Sequence, residues 1–183
     1  MTTDGAAAVT AVPNYHNYSL HAIVAAYGLA MVPHGYYTYK LMSVTKDRDD
    51  LKGVTSNFLE RERQNRPRQN LLNLRPPRLP ESTFSTLARA RGAHLNALET
   101  APLFAAAMLA GNMAGLEPGE LNAVAAQYLG VRCLYTALYV GLRGQETWAY
   151  LRTGVWAWSV GLPVWVLVRA GRRLDGRNIA GRT

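Results

Sequence analysis

Residues 89–111 read RARGAHLNALETAPLFAAAMLAG and place a short polar motif at the start of a long uncharged run. Asn96 and Glu99 are three residues apart, so a helix would carry both side chains on one face. After Glu99, the next charged residue is Glu117. A soluble amphipathic helix with Glu99 on its solvent-exposed face would give this pattern. In an apolar membrane helix, by contrast, a carboxylate indicates an ion pair or a functional site.

Four long segments with few charges surround this motif and predict membrane-spanning helices, because about 20 apolar residues cross a bilayer core. The predicted spans cover residues 18–40, 86–112, 118–142 and 146–168. Tyrosines gather near both ends of the first span, as amphipathic rings do at membrane interfaces. We therefore predict an all-α fold in which residues 1–183 form one domain, an integral-membrane, multi-pass four-helix bundle.

The distribution of charge narrows the choice of partners. The formal net charge is +8, and 12 of the 20 Lys and Arg residues lie between Lys40 and Arg91. The loop of residues 42–85, which holds most of them, lacks the interleaved aromatic side chains of a nucleic-acid surface. The positive-inside rule puts this loop in the cytosol, although the basic tail from Arg169 favours the opposite orientation. We expect the lipid bilayer as a partner and no nucleic acid, and the His, Cys and acidic residues lack the spacing of a metal site.

A soluble helical bundle is the structural alternative. The mean hydropathy of −0.09 is low for a membrane protein, and a bilayer penalises each charge in a span by about 2.5–3.5 kcal/mol. The polar loop and the tails account for most of the low value, which favours the membrane fold.

Residue counting places two opposite charges at one depth in the second and third helices. Glu99 lies 17 residues before Leu116 and Arg132 lies 16 residues after it, which is about 24–25 Å from the turn in both helices. This spacing predicts an ion pair between Glu99 and Arg132. Such a pair could merely tie the hairpin together, or it could belong to a ligand site.

The third and fourth helices add further polar groups at this depth. Arg132, Tyr135 and Tyr139 recur at i, i+3 and i+7 and so form one stripe of the third helix, which we expect to face Asn96 and Glu99. Arg152 of the fourth helix reaches the level of Tyr135 and adds a second cation. The pattern predicts a site for a charged ligand.

Three strings resemble the core motifs of the MAPEG family, the membrane-associated proteins of eicosanoid and glutathione metabolism: RARGAHLNALETAPLFAAA, RCLYTALY and LRTGVWAWSVGL. The resemblance extends over residues 18–168. It implies a four-helix protomer, a homotrimer, and glutathione held between protomers near the cytosolic side. In a eukaryotic cell it implies the endoplasmic reticulum or another intracellular membrane.

The resemblance also implies the residues of a glutathione site. Asn96 and Glu99 match positions that hold the polar groups of glutathione, and Arg132 matches the arginine paired with that glutamate. Arg152 and Thr153 resemble an Arg-Ser pair in which the arginine stabilises the glutathione thiolate, so Arg152 is the expected catalytic residue. The other implied glutathione-binding residues are Lys40, Arg89, His94, Tyr135 and Tyr139.

Two positions depart from the family pattern. Gly92 stands where the family has a second arginine, with Arg91 displaced by one residue, and Trp156 stands where prostaglandin E synthase has tyrosine. The leading hypothesis is a glutathione transferase or peroxidase acting on a lipophilic electrophile. Its alternative is a non-catalytic trimeric membrane protein of the same fold.

Overall fold

The computed structural model describes residues 16–46, 79–141 and 146–180, which form four α-helices and no strand. The helices are α1 (Ser19–Thr45), α2 (Glu81–Met113), α3 (Pro118–Gly141) and α4 (Glu146–Ala180). The predicted all-α, four-helix protomer is confirmed. Most of the predicted basic loop and the turn between α3 and α4 lie outside the described residues.

Helices α1, α2 and α4 are longer than the segments predicted from apolarity, whereas α3 ends at Gly141, within the predicted segment. α2 begins directly after Pro80, with Glu81 in its first turn, where a carboxylate faces the positive end of the helix dipole. α4 continues past residue 168 to Ala180. An apolar run reports where a bilayer core could lie, whereas a helix continues until a breaker residue ends it. The arginine-rich segment after Val168 contains no proline.

The main core lies where all four helices meet, close to the α2–α3 turn. Its members include Ala22, Ala26, Phe104, Ala107, Met108, Leu121, Val124, Tyr128, Val166 and Ala170. The Phe104 and Tyr128 rings stack with centroids 4.0 Å apart. A Cβ at Gly111 would lie 2.6 Å from Leu121 Cδ2 and 3.2 Å from Val166 Cγ1. Gly111 therefore allows α2, α3 and α4 to approach closely, as small residues do in membrane bundles.

Polar side chains close the bundle at the end that carries the α2–α3 turn, which we call the turn end. Asn17 Nδ2 donates to Asn112 Oδ1 at 2.6 Å, and Asn112 Nδ2 donates to Ser19 Oγ at 2.7 Å. Gly115 has φ of 67°, and Leu116 N donates to the Gly111 carbonyl at 3.0 Å. These bonds fix α1 to the end of α2.

Three helices contain interior prolines: Pro33 in α1, Pro102 in α2 and Pro163 in α4. Pro33 and Pro163 are fully buried. Each proline removes one backbone hydrogen bond from its helix.

One helical segment in the described ranges, Tyr150–Arg177 of α4, is long and apolar enough to cross a membrane. Only 22% of an 18-residue apolar stretch in this segment is buried inside the protomer. The core helix of a soluble protein is mostly buried, so this exposure fits a surface that contacts lipid or another protomer.

Candidate functional site

A cavity of about 180 Å³ opens between α2, α3 and α4. Its lining residues are Asn96, Tyr135, Arg152, Thr153 and Trp156. The first four belong to the set named from the sequence, and the fold brings them together from three helices. In the sequence, Trp156 is distinguished only as a departure from the family pattern. Its position one helical turn after Arg152 places both on one face of α4, which is the signal that could have identified it.

Arg132 is the most buried cation of this region, with 2% of its surface exposed. Its Nη1 donates to Asn96 Oδ1 at 3.0 Å. Its Nη2 is buried and has no hydrogen-bond partner among the described residues. A buried donor without an acceptor is destabilising, by about 1–3 kcal/mol or more when it is charged. Arg132 therefore holds a donor that an anionic ligand could satisfy.

Two adjacent aromatic rings of α3 lie between two cations, one on α3 and one on α4. The Arg132 guanidinium lies 4.8 Å from the Tyr135 ring centroid, the Tyr135 and Tyr139 rings are 5.6 Å apart, and the Arg152 guanidinium lies 4.8 Å from the Tyr139 centroid. Such contacts attract a cation to the face of a ring. Within the described ranges, neither arginine forms a salt bridge. Both cations are held without being neutralised.

The predicted ion pair between Glu99 and Arg132 is absent from the described protomer. Glu99 is exposed on α2, whereas Arg132 is buried and bonds to Asn96. Three residues advance a helix by about 300°, so Glu99 points roughly 60° away from Asn96. Counting residues does not give the direction of Glu99 around the helix.

Six residues of the expected site do not line the cavity: Arg132 and Tyr139 contact residues that line it, whereas Glu99, Arg89, His94 and Lys40 lie elsewhere. Arg89 Nη2 donates to Thr86 Oγ1 in its own helix at 3.2 Å, and Arg89 Nε is buried without a partner among the described residues. His94 Nδ1 donates to the Ala30 carbonyl at 2.8 Å and thereby joins α2 to α1. Lys40 lies in the last turns of α1, and its carbonyl accepts a bond from Ser43 Oγ at 2.8 Å.

A second cavity, of about 400 Å³, lies between α1 and α3 near the turn end. Its lining is mostly alanine, with Tyr18, His21 and Asn122 at one side, and it contains no Lys, Arg, Asp or Glu. The smaller cavity, and not the larger one, offers the chemistry of an anion site.

The fold is all-helical over the described residues, and Arg132 and Arg152 lie at or beside the cavity without a salt-bridge partner among those residues. The model of the MAPEG family matches residues 20–172, nearly the whole chain, and the protein belongs to that family. The resemblance seen in the sequence is thus confirmed, and the protein is a membrane protein of the kind that acts in glutathione and eicosanoid metabolism. Comparison with curated proteins gives no match, and neither does comparison with solved structures.

Proposed function

We propose that the protein is a glutathione-dependent transferase or peroxidase that acts on a lipophilic electrophile arriving from the bilayer. One observation carries the proposal: Arg132 and Arg152 are held by aromatic rings beside a cavity without carboxylate partners among the described residues. Glutathione has two carboxylates, and its reactive thiol is an anion when ionised. Arg152 lines the cavity and Arg132 bonds to Asn96 of the lining, so two cations near one polar cavity match that charge pattern.

The buried donor of Arg132 is the best-supported contact for the ligand. Its free Nη2 would donate to a glutathione carboxylate, while Asn96 keeps the guanidinium in place through Nη1. Tyr135 and Thr153 line the same cavity and would supply hydroxyl groups. These residues fit a small peptide with several carbonyl and carboxylate oxygens.

Arg152 is the proposed catalytic residue. Bound glutathione would supply the thiolate nucleophile, yet a free thiol with a pKa of about 8.5 is mostly protonated at neutral pH. The arginine guanidinium stays charged at any physiological pH, so a cation beside the sulfur favours the ionised form. Arg152 lines the cavity and has its guanidinium steadied by the Tyr139 ring.

A homotrimer would complete the site. The cavity of about 180 Å³ is smaller than the roughly 300–1,000 Å³ of ordinary ligand pockets. Glu99 is exposed on the protomer, and residue counting places it at the depth of Arg132, where contact with lipid would be unfavourable. A neighbouring protomer would both cover Glu99 and enlarge the site, and we assign Lys40, Arg89 and His94 to this shared part.

We further propose that all four helices cross the membrane, with the basic loop in the cytosol, and that a eukaryotic cell would hold the protein in the endoplasmic reticulum or another intracellular membrane. α2 and α3 pack along the apolar α4, and α1 packs against α2 and α3, so a bilayer that contains α4 would contain the other three helices as well. Recovery of the protein in the soluble fraction at high salt without detergent would contradict this topology.

The enzymatic proposal is tested by the rate at which purified protein conjugates glutathione to a chromogenic aryl halide. Arg152→Ala should slow the chemical step roughly 10²–10³-fold, the usual loss when one donor to a developing anion is removed. Arg172→Ala, which alters an exposed arginine of the same helix, is the matched control and should retain the wild-type rate. Equal rates for Arg152→Ala and wild type would remove Arg152 from the mechanism.

A non-catalytic membrane protein is the second candidate, and one observation favours it. Trp156 lines the cavity next to Arg152 and fills space with a bulky ring. Isothermal titration with glutathione in nanodiscs separates the two candidates, because only the enzyme requires binding. Absence of binding would favour the non-catalytic protein.

A further inference from the structure

Gly92 of α2 and Tyr139 of α3 approach each other more closely than any side chain at position 92 would allow. A Cβ at Gly92 would lie 2.8 Å from Tyr139 Oη, 3.1 Å from Cε1 and 3.2 Å from Cζ. Real Cβ atoms almost never come within 3.0 Å of such a neighbour. The Tyr139 ring can therefore keep its position only if residue 92 is glycine.

Tyr139 in turn supports the cation at the cavity. The Arg152 guanidinium lies 4.8 Å from the Tyr139 ring centroid, and Tyr135 lies beside the same ring at 5.6 Å. Arg152 lines the cavity, whereas Gly92 and Tyr139 are absent from its lining. A change at position 92 would thus reach the cavity through the ring and not by direct contact.

We propose that Gly92 is a positioning residue: its missing side chain seats the Tyr139 ring against α2, and the seated ring holds the Arg152 guanidinium at the cavity. The consequence for a bound thiol rests on the function proposed above, in which Arg152 stabilises the thiolate. The contact itself does not depend on that function. A glycine that serves only helix packing would leave Arg152 unaffected.

The chain supplies two matched glycine controls. Gly111 is equally crowded, since its Cβ would lie 2.6 Å from Leu121 Cδ2, but its neighbours belong to the core near the turn end. Gly28 has nothing within 4 Å of an added Cβ. Alanine at Gly92, Gly111 and Gly28 therefore compares a crowded position near the cavity, a crowded position in the core and an open position.

The first measurement is the ionisation of glutathione bound to the full protein in detergent, followed by ultraviolet absorbance of the thiolate against pH. Gly92→Ala should raise the pH midpoint by about one unit, because moving a cation away from an anion removes part of the 1–3 units that such a neighbour provides. Gly111→Ala should lower the apparent melting temperature and leave the midpoint unchanged, and Gly28→Ala should change neither. A Gly92→Ala midpoint equal to that of wild type would overturn the proposal.

A second substitution tests whether Gly92→Ala affects Arg152 through the Tyr139 ring. Tyr139→Phe in the Gly92→Ala background removes the hydroxyl oxygen that lies closest to the new Cβ but keeps the ring beneath Arg152. The midpoint should return most of the way to the wild-type value, and a double variant as impaired as Gly92→Ala would contradict this route. If Gly92→Ala does not fold, Tyr139→Leu removes the ring without crowding α2 and should raise the midpoint by a similar amount; an unchanged midpoint would overturn the proposal.

A measurement without ligand separates this proposal from the proposed function. The reaction of Arg152 with a dicarbonyl reagent, mapped by peptide mass spectrometry, should be several-fold faster in Gly92→Ala than in wild type, because the guanidinium is no longer held on the ring. Gly111→Ala should not change this rate. If wild type binds no glutathione and Arg152 still reacts faster in Gly92→Ala, the proposed function fails and the positioning role stands. An unchanged Arg152 rate would overturn the positioning role whether or not glutathione binds.

Discussion

Buried polar groups are hydrogen-bonded to one another at the turn end, whereas some buried cationic groups elsewhere in the bundle lack a partner among the described residues. At the turn end, Asn17, Ser19 and Asn112 donate to and accept from one another at 2.6–2.7 Å. Beside the cavity, Arg132 Nη2 is buried and lacks a partner among the described residues, and so does Arg89 Nε nearer the start of α2. The same protomer therefore contains one satisfied polar network and one unsatisfied set of cations.

Under the proposed function, this difference separates polar groups that stabilise the fold from polar groups that bind the ligand. Buried polar atoms in native proteins nearly always have a partner, and a missing one is destabilising by about 1–3 kcal/mol. A bound anion can supply the missing acceptor and offset that loss. Substitutions in the two regions should accordingly affect different quantities, stability at the turn end and ligand affinity at the cavity.

The largest effect on stability is expected from Asn112→Leu. This change leaves Asn17 and Ser19 without their shared partner at the junction of α1 and α2. We expect the free energy of unfolding to fall by about 2–4 kcal/mol, one to two kcal/mol for each lost bond. Thermal unfolding in detergent measures the loss, and titration should show unchanged glutathione affinity. A parallel loss of affinity would mean that the two regions are not independent.

Arg132→Leu should show the reverse pattern. Loss of a charged donor should weaken glutathione binding about 10–100-fold, the equivalent of 1.5–3 kcal/mol. The apparent melting temperature should not fall, because an apolar side chain in place of a buried charge is often neutral or stabilising. Glu99→Gln in the same chain should add its own effect without coupling, since the two side chains form no ion pair. Destabilisation as large as that of Asn112→Leu would identify Arg132 as a structural residue.

The smallest effect is expected from Glu120→Gln, at the rim of the turn end. Glu120 accepts two bonds from Arg169, at 3.0 and 3.1 Å, but half of the Arg169 side chain is exposed. Exposed pairs contribute less than about 1 kcal/mol and weaken further with salt. The loss in apparent melting temperature should be small at low salt and should vanish at high salt. A large, salt-independent loss would place this pair among the buried interactions.

Residue counting predicted the heights of side chains well and their directions poorly. The charge-free runs correctly located four helices, and equal depth correctly brought Asn96, Tyr135 and Arg152 to one cavity. The rotation of α2 was not predictable, because it depends on close contacts such as Gly92 against Tyr139. This rotation turned Asn96, and not Glu99, toward Arg132.

Pro163 is a point at which α4 can bend, and its place in the helix decides which segment would move. The cavity residues Arg152 and Trp156 lie on one side of it, and the exposed segment that ends at Ala180 lies on the other. The segment from Pro163 to Ala180 is about 25 Å long, and Pro163 removes one backbone hydrogen bond at a point where a helix can bend. A change of about 10° there would move the far tip by about 4 Å. A small bend at the buried Pro163 would therefore produce a larger displacement of the exposed end of α4.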